Sequence, residues 1–369
     1  VVSRKKLAVV FGGRSGEHIV SLRSAASIMK AVDQDLYEVI QVGITGEGVW
    51  ITGPDAWLSL WEKRPPRESF AAALLTNPAR PGLLVQKGDS PQEWHYQSLD
   101  LAFPVLHGTY GEDGTIQGLF EMAGLPYVGS GVLASGAGMD KVVMKVLFRE
   151  AGLPVAPYTW FYRHQWAEKQ NDLVAVAGQK LGFPCFVKPA NLGSSVGINK
   201  VHGPEDLPGA VDEAFLYDEK VIIEAYIDGR EIECSVLGDI DVEASLPGEV
   251  VPCNEFYDYR AKYLDDRSEL IIPARLEEKI VEKIRDYSLR AFAAVEASGL
   301  ARVDFFFNRS SGEIILNEIN TMPGFTDISM FSKMWEASGV SYAELVGRLL
   351  HYAEDRYKRR LSLLVSPPE

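Results

Sequence analysis

The 369-residue chain is 46% hydrophobic and 24% charged, too apolar for a disordered tail and long enough to bury a sizeable core. At roughly 150 residues per domain it holds two to three domains. Its 37 lysines and arginines stand against 51 aspartates and glutamates, a formal charge of -14; that excludes a general binder of nucleic-acid backbones, but not a locally basic pocket for a small anion.

In chain order, residues 7–13 (LAVVFGG) predict a buried strand running into a glycine turn. Residues 17–31 carry Ile19, Leu22, Ala26 and Met29 at helical spacing, and 38–45 predict a second strand, which makes a βαβ unit. The stretch 51–98 holds Pro65, Pro66, Pro78, Pro81 and Pro91 and has weak periodicity, so it reads as an elaboration of the first domain. Within it Trp57 and Trp61, four apart, are expected to pack on the body. Residues 100–108 predict a third strand. A helix from Met139 stops at Gly152 and Pro154 and opens a second domain. Two strands then flank the loop 191–196, followed by a helix over 204–215 and a strand over 220–227. The last third alternates strands with helices over 276–298 and 342–359. No repeat is present, and the class is α/β throughout.

Cys185, Cys234 and Cys253 form no C-x-x-C pair, which argues against a disulfide framework and a thiolate zinc site. No run reaches the roughly 18 apolar residues of a membrane span, and no basic-then-apolar leader opens the chain. The expectation is a reducing, cytoplasmic compartment, with no membrane and no nucleic-acid partner.

Four groupings carry chemistry. Arg302 and Asp304 share one face of the strand ARVDFFF, and Glu318 and Asn320 share one face of EIILNEIN. A symmetric turn between them would set Arg302 opposite Glu318, with Asp304 one diagonal step away. Asp304, Glu318 and Asn320 then converge as hard oxygen ligands suited to Mg²⁺ or Mn²⁺; the alternative is a solvated hairpin face. The loop 193–197 (GSSVG) is no Walker A loop, but its glycines admit close approach to phosphate. Lys188, at an otherwise apolar strand end, needs either a phosphate or a carboxylate. In EAYIDGREIEC, extended backbone before Asp228-Gly229 could bond an adenine edge, with Glu231 on ribose hydroxyls. HGTYGEDGTIQG begins with His107 at the carboxyl end of the first sheet, where open α/β sheets place ligands, and Glu17 occupies the equivalent edge. There is no G-x-S-x-G elbow at a strand-to-helix turn (GSSVG lies between two strands) and no H-E-x-x-H, and the opening VFGGRSGEH lacks the G-x-G-x-x-G register.

Taken in order, VFGGRSGEHIVSL, LHGTYGEDGTIQG, GMDK, FVKPANLGSSVGI, EAYIDGREIECSVLG, EFYDYRAKY, ARVDFFF and NEINTMPGFTDIS resemble the D-alanine–D-alanine ligase family of the ATP-grasp superfamily. The resemblance implies three α/β domains, 1–138, 139–227 and 228–369, with ATP gripped between the last two. It implies ligation of two D-alanines to D-alanyl-D-alanine through an acyl phosphate, for peptidoglycan precursors, with ATP and two Mg²⁺ (or Mn²⁺) ions. It implies a homodimer as well.

Residue by residue, Lys141 and Lys188 match the lysines on the ATP phosphates. Glu224 with the backbone of Ala225, Tyr226 and Ile227 matches the adenine linker, and Glu231 the ribose contact. Lys262 matches the lysine of a loop that closes over the γ-phosphate, and Asp304, Glu318 and Asn320 match the metal ligands. Glu17 matches the group on the amine of the first D-alanine, with His107 nearby. Ser194 and Tyr263 match the pair that, with Glu17, ties the loop shut. Arg302 and the Gly324 N–H match the oxyanion site, and Ser329 and Met330 the subsite for the second carboxylate. Two features qualify the match. His18-Ile19-Val20 replaces the more usual His-Glu-Val, which removes a second acid there. Tyr263 resembles the dipeptide-forming type rather than D-alanyl-D-lactate ligases. Other rivals are an ATP-grasp ligase of another acid and amine, and a nucleotide-binding regulatory module without turnover.

Overall fold

The computed structural model describes residues 3–87, 93–193, 196–251, 269–308 and 311–364. Ser194, Lys262, Tyr263 and Cys253 lie outside them. Three sheets organise the chain.

The first sheet follows the predicted βαβ pattern: β1 (Lys5–Gly12), α1 (His18–Ala31) and β2 (Tyr37–Ile44), with β1 and β2 parallel. The proline-bearing stretch then forms β3 (Trp50–Thr52), α2 (Ala56–Trp61), β4 (Phe70–Leu75), β5 (Gly82–Gln86) and β6 (Trp94–Ser98). These strands continue the sheet antiparallel, and β7 (Leu101–Pro104) closes its other edge, in the order β6-β5-β4-β3-β2-β1-β7. Trp57 packs on the body, its indole N–H donating to the Leu22 carbonyl at 2.8 Å, whereas Trp61 stacks on Trp57 and stays exposed. The third predicted strand stops at Pro104, so residues 105–114 are free to form a ligand-side loop ahead of α3 (Thr115–Ala123) and α4 (Val132–Met139).

Helix α5 (Lys141–Glu150) is capped by Asp140, whose carboxylate accepts from the N–H groups of Val142 and Val143. It lies between two sheets: Val142 packs with Tyr158, Ala190 and Ile222, while Met144 and Phe148 join the core under the third sheet. The second sheet is β10-β9-β11-β8, built from β8 (Tyr158–Tyr162), β9 (Cys185–Pro189), β10 (Asn199–Val201) and β11 (Lys220–Ala225). Helices α6 (Arg163–Leu181) and α7 (Leu207–Ala214) cover one face through Trp166, Leu207 and Val211 against Val187 and Ile223. The other face, with Lys188 and Glu224, is left for the cleft. Cys185 and Cys234 are buried free thiols, as expected.

The third sheet holds β12 (Arg230–Gly238), β13 (Val242–Ala244), β14 (Gly248–Val251), β15 (Glu269–Ile271), β16 (Gly299–Phe307) and β17 (Ile314–Asn320), backed by α8 (Glu278–Ala294). Here the expected register is corrected. Arg302 faces Asn320 and Asp304 faces Glu318, a displacement of two residues: the turn pairs Phe307 with Ile314 rather than Glu313, and Asn317 is an extra residue in β17 beside which the ladder shifts again. Helices α9 (Met330–Ala337) and α10 (Tyr342–Leu361) return to the first sheet, where Phe331, Trp335 and Leu349 share a core with Val9, Phe11 and Leu22. Among the described residues, no helix is long and apolar enough to cross a membrane.

Candidate active site

Strand alternation builds the floor of the site. Val303 and Phe305 of β16 and Ile232 and Cys234 of β12 are buried in the core, which turns Arg302, Asp304, Glu231 and Glu233 to the opposite face. Glu233, Asp304 and Glu318 lie abreast across β12, β16 and β17. The Arg302 guanidinium donates to both oxygens of Asp304 at 2.7 Å and pairs with Glu233 at 3.1 Å. Burial alone would lower the Arg302 pKa; Asp304 and Glu233 outweigh it and raise it well above the ordinary value. The Asn320 amide donates to Asp304 at 3.0 Å, which leaves its Oδ1 as an oxygen donor.

Among the described residues no group of three or more His, Cys, Asp or Glu side chains is gathered to hold a metal ion, so a cation at this row would need the Asn320 carbonyl as well. Three like charges side by side destabilise a sheet, and Arg302 offsets part of that. Asp304 accepts from both Arg302 and Asn320. Asp304, Glu318 and the Asn320 carbonyl are all hard oxygens. Glu233 did not enter the expected set; its alternation with Glu231 in EIEC is the signal that could have found it.

The wall of the site is a lysine cluster. Lys188 donates to Glu224 Oε2 at 2.5 Å, so of its two expected partners the structure shows the carboxylate. Lys145, buried one turn along α5 from Lys141, pairs with Glu224 Oε1 at 2.8 Å and donates to the Asn317 carbonyl at 2.9 Å. The bulge thus presents a carbonyl to a lysine. Burial opposes ionisation of Glu224, but the two ammonium groups outweigh it and hold its carboxyl at about 2. Glu224 is therefore clamped inside β11, which ends at Ala225, with Tyr226 and Ile227 beyond it. The Tyr226 ring lies 6.2 Å from Phe186 and under Lys200 at 4.5 Å. Lys141 donates to the Leu192 carbonyl at 2.6 Å. Burial lowers its pKa, and the charge of Glu318 works against that. Lys188, raised overall against burial by Glu224, is also within the field of Glu318 and Glu231. Lys188 of the second sheet and Lys141 of α5 thus face the acids of the third sheet.

The rear of the site joins the first sheet to the turn after β17. Glu17 Oε2 sits so close to Gly108 and Gly193 that a Cβ on them would lie 2.7 and 3.1 Å away. The buried His107 ring donates from Nδ1 to the Met322 carbonyl at 2.9 Å, and its Nε2 meets the Ser24 hydroxyl at 3.3 Å. Because a carbonyl only accepts, the proton is on Nδ1, and burial keeps the ring neutral by lowering its pKa. Ser24 in turn accepts from the Phe325 N–H at 3.2 Å. Gly324 lies beside Ser329, whose hydroxyl accepts from the Thr326 N–H at 3.0 Å. The Met330 side chain packs in the core with Val250 and Met334, so only its backbone N–H in the first turn of α9 is available to a ligand.

A cleft between two sheets, walled by lysines and floored by carboxylates beside an arginine, defines an ATP-grasp ligase. Residues 6–130 and 147–351 match the family models described as D-ala D-ala ligase N-terminus and D-ala D-ala ligase C-terminus, and the chain belongs to this family. It is 46% identical over 359 residues to the D-alanine–D-alanine ligase of Natranaerobius thermophilus, covering 97% of each chain. It is 47% identical over 357 residues to that of Heliobacterium modesticaldum, covering 97% of this chain and 96% of the relative. Among solved structures, the VanG D-Ala:D-Ser ligase from Enterococcus faecalis superposes with a TM-score of 0.85 at 33% identity, covering 95% of this chain and all of that one. The D-alanine-D-alanine ligase from Coxiella burnetii gives 0.82 at 33% identity, covering 97% and 96%.

Proposed function

We propose that this chain joins two D-alanines into D-alanyl-D-alanine at the expense of ATP, in the cytoplasm, for peptidoglycan precursors. The observation that carries the reading is the row Glu233–Asp304–Glu318 beside Arg302, facing Lys141 and Lys188 across the cleft.

Phosphoryl transfer needs positioning and charge neutralisation more than a protein nucleophile. Lys141 and Lys188 would hold the phosphates of ATP; an ammonium has three donors, and Glu224 and the Leu192 carbonyl take one from each. The backbone of Ala225 to Ile227 would take the adenine edge, and Glu231 the ribose. Asp304, Glu318 and Asn320 would hold Mg²⁺ or Mn²⁺, whose charge neutralises the phosphate oxygens when bound. Glu17 would accept from the ammonium of the first D-alanine, with its carboxylate toward the γ-phosphate. That carboxylate attacks the γ-phosphorus and ADP leaves. The second amine then attacks the acyl carbon and releases phosphate. Arg302 and the Gly324 N–H would stabilise the oxyanion that forms on this carbon. Ser329 and the Met330 N–H would seat the second carboxylate. Ser194, Lys262 and Tyr263 keep their implied roles of closing the site against water. The reading includes a homodimer and domains at 1–138, 139–227 and 228–369.

The test is phosphate release from ATP and Mg²⁺ with D-alanine or L-alanine, with chromatography of the product. Release with D-alanine alone, matched by dipeptide, is expected; absence of D-alanine-dependent release overturns the reading. Competition between D-alanine, D-serine and D-lactate as second substrate then fixes the specificity.

A further inference from the structure

Both polar groups of the Met322 backbone are held by one loop of the first sheet. His107 donates to its carbonyl at 2.9 Å, and Glu112 accepts from its N–H at 3.1 Å. The second oxygen of Glu112 accepts from the Gly108 N–H at 2.7 Å. One carboxylate therefore bridges the backbone against which Glu17 rests and the backbone leading through Pro323 to Gly324. Proline fixes φ at its own position, so the set of the Met322 peptide is passed on to Gly324 with little slack. Among the described residues no lysine or arginine forms an ion pair with Glu112. With its two oxygens accepting from backbone N–H groups on two different loops, Glu112 serves geometry rather than substrate contact.

We infer that Glu112 is a positioning residue: it locks the pocket for the first D-alanine to the Met322–Gly324 turn, so that the amine-binding group and the oxyanion donor keep one fixed separation. The inference rests on the proposed ligase reading. It predicts a loss confined to the transition state, because ATP is held by elements that Glu112 does not touch.

The experiment uses Glu112→Gln in the full-length chain, which replaces one acceptor by a donor facing an N–H. Expected is a fall in kcat of about 10²-fold, the scale of a small misplacement at a reacting centre. The affinity for a phosphinate analogue of the dipeptide, whose tetrahedral oxygen stands where the oxyanion forms, should fall by the same factor, with the KM for ATP unchanged and the thermal midpoint lower by only a few degrees, since one buried N–H loses its acceptor. Unchanged kcat overturns the inference. So does a loss shared equally by phosphinate and ATP, which marks a general structural effect. If Glu112→Gln does not fold, Glu112→Asp carries the same comparison, since it keeps the acceptors but shortens their reach. Wild type that makes no dipeptide defeats the ligase reading instead; wild type that makes dipeptide at the rate of the variant defeats only this inference.

Discussion

Asp304 and Glu318 stand directly opposite each other on β16 and β17, two carboxylates on one sheet face with Glu233 completing the row from β12. Opposed like charges weaken a sheet. Arg302 offsets part of the repulsion, and Lys141 and Lys188 act on Glu318 from across the cleft. A divalent ion beside a triphosphate would meet this same row.

Replacing Asp304 by Asn should therefore act on the metal dependence first. The Mg²⁺ concentration for half-maximal phosphate release should rise by at least the roughly 10- to 100-fold that loss of an outer-sphere partner costs. Saturating Mg²⁺ or Mn²⁺ should restore part of the rate. A titration that superimposes on wild type would move the metal away from this row.

Lys145 ties three elements together: α5 that carries it, β11 through Glu224 and β17 through Asn317. Lys145→Met leaves the buried Glu224 with Lys188 alone and strips the bulge carbonyl of its donor. Removing one partner from a buried pair costs about 3–5 kcal/mol. The denaturant midpoint should fall accordingly with an unchanged slope, and Lys145→Arg should recover part of it. A midpoint equal to wild type would show that the clamp contributes nothing.

Much of this site can be read from residue spacing, and the unread part has a common cause. The alternation of Arg302 with Asp304 and of Glu318 with Asn320 places each pair on one face without further information. Asn317 carries no such mark: a bulge that uses neither glycine nor proline looks like one more strand residue, and together with a turn one residue off symmetric it shifts the pairing by two. Lys145 and Glu112 carry no local mark, because their partners Glu224 and Met322 lie 79 and 210 positions away. Long-range burial has no local signature. The strands within 51–98 escape for a different reason: they are short, they lie toward one edge of the sheet, and prolines interrupt the stretch.

The same clamp sets a pH dependence. Glu224 ordinarily would titrate at 4.5 and is held at about 2 in the fold, so the folded chain binds fewer protons than the unfolded one between those values. The stabilisation is complete above 4.5 and is lost as the pH falls toward 2. In urea unfolding followed from neutral pH down to about 3.5, the wild-type midpoint should drop more steeply than that of Lys145→Met, whose Glu224 has lost one of the two cations that hold its carboxyl down. Parallel curves would separate Glu224 from the acid sensitivity.

Gly108 separates a cost in folding from a cost in binding. Its φ of +72° is left-handed, and a Cβ there would stand 2.7 Å from Glu17 Oε2. Gly108→Ala adds strain of about 1–2 kcal/mol. The close contact is with the end of a flexible side chain, so Glu17 swings aside and the chain still folds. What is lost is the charged acceptor for the amine of the first D-alanine, worth about 1.5–3 kcal/mol, or roughly 10- to 100-fold in affinity. The KM for the first D-alanine should rise by that factor while the KM for ATP stays put and the thermal midpoint falls by a few degrees. A lower midpoint with an unchanged KM for D-alanine would take Glu17 out of the amine pocket.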